Sequence, residues 1–456
     1  MGLIASASTV LVLGSGSSVA GLGWIGPGER RCFTVAGSPG DAALVNLTPV
    51  EAAGAGNGKL VGSDISNPPA ASNVNFSPNS VDPNVAVVSI GIDNQVCYVN
   101  SHHTSIHLVA DHLGTVAANA YQRATSSGAP KRTLDTRTAG RIGPGERRCF
   151  TVAGHPGDAA LVNLTPVEAA GAGNGKLVGS DISNPPAASN VNFSPDSVDP
   201  NVAVAPIGVD NQVCYVNSHH TSIHLVADHL GTIATNTFQR ASTTGAPRRT
   251  LDTRAASRVG PGERRCFTVA GNAGDAALVN LTPVEAAGAG NGKLVSSDVS
   301  SPPAASNVNF SPNSVDPNVA VAPIGVDNQV CYVNSHHTSI HLVADHLGTV
   351  SANAYQRATS SGAPKRTLDT RTEVPPPTTT TTTPPSPTTT TTTPSPPTTT
   401  TPPPAGGPCH PSYPTVCIPP APPDLNCPDI PYRNFVVLPP DPHKFDRDKD
   451  GYGCEG

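Results

Sequence analysis

A chain of 456 residues with 37% hydrophobic residues has material for three or four domains, and its net charge of −6 offers no basic field for nucleic acid or anionic lipid. Aromatic residues make up only 4%, with one Trp, which weighs against a sugar-stacking surface. After the N-terminal segment no run of about 18 apolar residues occurs, which argues against a transmembrane span.

Residues 1–22 read as a weak signal-like segment. Leu3 to Leu13 are mildly apolar and Ser18-Val19-Ala20 has the small residues of a cleavage site, although no Lys or Arg precedes them. The string GPGERRCFTVAG then begins at 26, 143 and 260, and RTLDTR closes each copy at 132–137, 249–254 and 366–371. A period of 117 residues is a domain-sized unit rather than a solenoid repeat. The copies are placed at 24–137, 141–254 and 258–371. The phase stays open. A cut after LDTR leaves three whole units, whereas a cut before it makes each fold depend on a neighbour's strand.

Within the first copy, short β-rich runs at Arg31–Val35, Ala43–Val50, Lys59–Val61, Asn73–Phe76, Val85–Ile90, Gln95–Asn100 and Ser105–Ala110 are separated by Gly, Pro, Asn and Asp. Asp93-Asn94 has the composition of a hairpin turn, and only Val50–Gly56 and Ala117–Arg123 suit a helical turn. The pattern predicts a mainly β protein built from three tandem β-sandwich or small-barrel repeats. The absence of any C-x-x-C points to disulfides in an exported protein. The expected pairs are Cys32 with Cys97, Cys149 with Cys214 and Cys266 with Cys331, each worth on the order of 4 kcal/mol in the chain-entropy account.

Residues 372–408 form a Pro/Thr-rich linker, too polar to bury a core and expected to be a disordered stalk. Residues 409–456 carry Cys409, Cys417, Cys427 and Cys454 among many prolines, so staples are expected. Of three possible connectivities, Cys409–Cys417 with Cys427–Cys454 is favoured because the second bond closes the segment around the last loop. That loop places Asp446, Asp448 and Asp450 at alternate positions before Gly451. It offers the hard oxygen donors and sharp turn of the first half of an EF-hand loop. The Tyr452 carbonyl occupies the usual backbone-ligand position. Glu455 stands two places earlier than the usual bidentate Glu.

The signature D-x-D-x-D-G-x-x-C-E resembles that of the excalibur domain, an extracellular calcium-binding region of bacterial surface proteins. The likeness covers about Asp424–Glu455. It implies Ca2+ as cofactor, bound by Asp446, Asp448, Asp450 and Glu455, the disulfide Cys427–Cys454, and a secreted or cell-wall-associated protein. The repeats are similar to uncharacterised β-rich modules of secreted actinobacterial proteins, which brings no activity.

The densest chemistry in each copy is Ser101–His112. On a strand, His103, His107 and Asp111 share one face, but residues four apart lie roughly 13 Å from each other, too far to share one ion. Gly54–Lys59 lacks phosphate-loop spacing, and no G-x-S-x-G is present. The reading is therefore a non-catalytic binding or adhesion protein that takes calcium and has cell-wall or surface polymers as partners. Its alternative is a metal-dependent hydrolase of wall polymers, using the His/Asp cluster.

Overall fold

The computed structural model describes residues 23–371 apart from 129, 186, 196 and 243–246, together with residues 410–413, 416–422, 424–430, 432–433, 435–446 and 452–454 of the tail. The signal-like segment and the Pro/Thr linker lie outside the described residues. Two compact units result, one from each side of the linker.

The first repeat forms strands β1 (Arg30–Thr34), β2 (Ala42–Val50), β3 (Gly56–Gly62), β4 (Val74–Phe76), β5 (Asn84–Ser89), β6 (Gln95–Asn100), β7 (His107–Val116), β8 (Tyr121–Arg123) and β9 (Lys131–Asp135), and the same set recurs in the other two repeats. The Asp93-Asn94 turn is present, with Asn94 at φ 62° and its amide donating to the Gly91 carbonyl. The Gly54–Lys59 stretch opens strand β3. Both segments suited to a helical turn are instead turns and strand ends, and the described residues contain no α-helix.

Each repeat builds two sheets. The outer one has the order β1-β6-β3-β4, and the inner one contains β5-β2-β7. Strands β8 and β9 do not join their own repeat. They pair with the second repeat's copy of β7, His224–Ile233. The second repeat's equivalents pair with His341–Val350 of the third. The third repeat's Tyr355–Arg357 and Lys365–Asp369 return to β7 of the first. Six sheets thus close into one ring as a six-bladed β-propeller, which corrects the expectation of three tandem sandwiches or small barrels. The physical reason is strand donation: every inner sheet is completed by the neighbour that precedes it, so no repeat closes alone.

Burial follows this plan. Leu44, Val85, Val87 and Leu113 join Leu161, Leu230, Leu278 and Leu347 in one core shared by all three repeats. Each repeat also has a core between its own two sheets, and the donated strand enters it. Leu368 of the third repeat lies in the core of the first, while Leu134 and Leu251 pack against those of the second and third. Three buried amide pairs stitch neighbours together: Asn84 Nδ2 donates to Asn163 Oδ1 at 2.8 Å, Asn201 to Asn280 at 2.8 Å, and Asn318 to Asn46 at 2.7 Å. Buried amides keep their place only when paired, so these bonds fix the register between repeats.

A bulge in β7 shapes each junction. The register shifts between Leu44 and Val45, and Gly114 beside it has φ +153°. A Cβ there would stand 2.1 Å from the Tyr355 hydroxyl, so glycine makes the hole that the donated aromatic ring fills. The Tyr355 hydroxyl donates to the Leu113 carbonyl at 2.6 Å, and Tyr121 does the same to Leu230. At the third site the ring is Phe238, which has no hydroxyl. Phe238→Tyr is expected to add one such bond and raise stability by about 1 kcal/mol in denaturant unfolding.

The disulfides join directly opposed residues of β1 and β6, Cys32 with Cys97, and likewise Cys149 with Cys214 and Cys266 with Cys331. In the tail unit Cys427 is bonded to Cys454, and Cys417 is disulfide-bonded while the Cys409 end of its expected bridge lies outside the described residues. The tail is not an EF-hand. Its described residues form a strand pair, Phe435–Val436 with Tyr452–Gly453, and one 3-10 turn at Cys427–Asp429. Among the described residues of this proline-rich segment no α-helix flanks the acidic loop. The unit instead packs Tyr413, Ile418, Phe435, Val437 and Phe445 against the Cys427–Cys454 bridge.

Candidate functional site

The His/Asp cluster of each repeat serves the junctions. Asp111, 1% exposed at its side chain, receives Arg366 of the third repeat through Nε at 2.6 Å and Nη2 at 3.4 Å. Arg132 with Asp228 and Arg249 with Asp345 repeat the arrangement. His107 Nδ1 lies 2.9 Å from Thr370 Oγ1, and the Trp24 ring lies tilted at 40° against the His107 ring, with centroids 4.4 Å apart. His103 is exposed. Among the described residues no group of three or more His, Cys, Asp or Glu is arranged to hold a metal ion.

His112 is buried, with Nε2 at 3.0 Å from Thr115 Oγ1. Burial lowers it to about 4, as it does His229 and His346. A histidine depressed below its unfolded value of about 6.5 gives stability that is present above that value and is lost as pH falls through the folded one. Unfolding followed between those pH values should therefore show falling stability on acidification. The joint change His112→Gln, His229→Gln and His346→Gln should flatten that slope.

Two cavities lie elsewhere, at seams between repeats. One, of about 550 Å³, has Asn57, Asn75, Phe76, Asp82 and His102 of the first repeat on one wall and Ser197, Val198 and Asp199 of the second on the other. Its counterpart, also about 550 Å³, has Asn174, Asn192, Phe193, Asp199 and His219 facing Ser314, Val315 and Asp316. At each seam an asparagine of one repeat reaches a valine carbonyl of the next. Asn75 Nδ2 donates to Val198 O at 3.1 Å, Asn192 to Val315 at 3.3 Å, and Asn309 to Val81 at 3.1 Å, so the third seam is built like the other two. Local chemistry positions these groups. Gly56 lies where a Cβ would stand 2.6 Å from the Phe76 ring, so the ring sits flat on the strand beside the cavity. The Ser77–Ser80 turn then delivers Asp82 to the seam.

The cavity carboxyls share one electrostatic setting. Burial first, then repulsion from Asp82 and Asp316, pushes Asp199 up to about 6. Burial raises Asp82, against a hydrogen bond from Ser80, and raises Asp316 together with Asp82. Neither cavity has a Lys or Arg among its described lining residues. Sequence reading passed over these residues. The available signal was the asparagine and serine spacing around Asn57, Asn75 and Asp82, which reads as turn chemistry until the neighbouring repeat is brought against it.

In the tail, Asp446 is partly buried and its amide donates to Asp441 Oδ2 at 2.9 Å. Asp441 also accepts from the Tyr413 hydroxyl at 2.7 Å. Burial opposes ionisation of Asp441, but the Asp446 amide and Tyr413 bonds together hold its carboxyl below the usual range. Tyr452 lies in the short strand pair opposite Val436. Asp448, Asp450 and Glu455 lie outside the described residues.

No family model matches the chain, and no curated protein matches it. Among solved structures, the chain is similar to vicilin from Solanum lycopersicum (tomato) at 10% identity over 46% of this chain and 76% of that one, with a TM-score of 0.14. It is also similar to a crystal structure with xylogluco-oligosaccharide, at 7% identity over 72% of this chain and 76% of that one, with a TM-score of 0.16. Scores this low carry no argument about fold or function. The class of protein is therefore set by the molecule's own features: a disulfide-bonded, mainly β ring of repeats in which no described helix is long and apolar enough to cross a membrane.

Proposed function

We propose that this is an extracellular, non-catalytic binding protein, whose ring presents equivalent clefts at its seams and whose tail binds calcium in a cell-wall or cell-surface setting. The observation that carries the reading is the recurrence of one polar cleft, of a size that suits small ligands, between successive repeats. Equivalent sites on one body raise avidity for a repetitive polymer without new contacts. The disulfides support an oxidising compartment. The tail's part rests on the alternating carboxylates Asp446, Asp448 and Asp450 before Gly451.

The test is binding of the full chain to purified bacterial cell-wall polymer, with and without calcium. Joint replacement of Asn57, Asn174 and Asn291 by alanine should weaken retention, and Asp448→Ala should abolish a one-to-one calcium titration that magnesium does not reproduce. Retention unchanged by the cleft variant, or no calcium uptake by the parent chain, would remove the corresponding half of the reading.

A further inference from the structure

The two cavities share a chemical asymmetry. Each brings together carboxylates from two different repeats, Asp82 with Asp199 and Asp199 with Asp316, and neither has a described cationic lining residue. Each also has a histidine on its wall, His102 or His219, whose Nδ1 is shielded from solvent and has no hydrogen-bond partner. An ionised carboxylate withdrawn from water is costly unless paired. A cavity of about 550 Å³ is far larger than a bare ion requires and falls in the range of small-molecule sites.

We propose that the seam clefts bind a primary ammonium group carried by a polar small molecule or side chain, with the paired aspartates of adjacent repeats as its counter-ions. The inference rests on the reading of these clefts as binding sites and adds the ligand's charge. An ammonium group supplies the missing positive charge and three donors, enough to serve both carboxylates of the cleft. Asn57 and Ser197 then face the remainder of a hydroxylated ligand, and the Phe76 wall its apolar side. Because the site needs ionised carboxylates, affinity should fall as pH drops through about 6, where Asp199 takes up its proton. The same chemistry is offered by an amino sugar or by a lysine side chain.

Calorimetric titration of the full chain tests this with glucosamine, N-acetylglucosamine and N-acetyl-lysine amide. Glucosamine or the lysine derivative should bind and the N-acetylated sugar should not, and whichever amine binds identifies the source. The joint variant Asp82→Asn, Asp199→Asn and Asp316→Asn keeps the shape and removes the charge, so it should bind at least about tenfold more weakly. Its unfolding midpoint should equal or exceed the parent's, because the repulsion is gone, which separates lost charge from lost fold. Equal binding of N-acetylglucosamine, or amine binding unchanged in the variant, overturns the ammonium assignment and leaves the clefts as neutral sites. No binding of any of the three by the parent chain overturns the ammonium assignment, and if cell-wall polymer also fails to be retained, the cleft reading falls with it.

Discussion

Arg366→Ala is expected to cost about 3–5 kcal/mol of stability at neutral pH, the loss typical of a buried charge deprived of its partner. Asp111 is almost wholly buried and accepts both Nε and Nη2 of Arg366, which comes from the opposite end of the repeat array. Even with that partner, burial pushes the Asp111 carboxyl up, against the hydrogen bond and charge of Arg366. Without the guanidinium the carboxylate has to protonate or be exposed, and both loosen the seam that closes the ring. Two controls separate this from a generic surface loss. The deficit should shrink as pH falls, because a protonated Asp111 needs no counter-ion, and Arg366→Ala combined with Asp111→Asn should cost less than Arg366→Ala alone. Urea unfolding at several pH values reads both. A cost near zero at neutral pH would mean that the donated strand does not hold the seam.

Gly114→Val is the second large effect, on the order of 3 kcal/mol or more, since overpacking and forbidden backbone each cost about 1–3 kcal/mol. The position is strained for any side chain at φ +153°, and the space is already taken by the Tyr355 ring. The substitution should therefore expel the donated strand as well as strain β7. Tyr355→Ala in the same background should return part of the loss by clearing the ring, although the backbone strain stays. Thermal unfolding of the two variants and the parent gives the comparison. A Gly114→Val protein as stable as the parent would show that Tyr355 does not occupy this hole.

Much of the local structure could be read from the residues alone. The period of 117, the runs that became β1 to β6 and the Asp93-Asn94 turn all follow from short-range patterning. Strand donation is one of the two phases the repeats leave open, but the residues do not decide between them: β9 reads the same whether it pairs at home or next door, and Tyr121–Arg123 of β8 lies in a segment that suits a helical turn. The return of Lys365–Asp369 to β7 spans more than two hundred residues and leaves no local trace. For the same reason Asp111 reads as a candidate ligand until Arg366 is placed beside it. His107 and Asp111 do lie on a strand, but all ten of its residues are buried, because the partners Thr370 and Arg366 arrive from the third repeat. The clefts were invisible because each wall comes from a different repeat, and either wall by itself is only a turn rich in Asn and Ser. The tail shows the converse limit: its acidic spacing stands out in sequence, while the packing of its described residues depends on Tyr413, Phe435 and Phe445 around a disulfide, with no α-helix among them.

The central claim is that the third repeat closes the ring on the first. Hydrogen exchange on the unmodified chain tests it most directly, using peptides that extend into the divergent residues after each long strand so that the copies can be told apart. The ring predicts equal, slow exchange in His107–Val116, His224–Ile233 and His341–Val350, and the same protection in Lys365–Asp369 as in Lys131–Asp135 and Arg248–Asp252. Fast exchange in Lys365–Asp369 with loss of protection confined to His107–Val116 would show an open chain of repeats and contradict the closure.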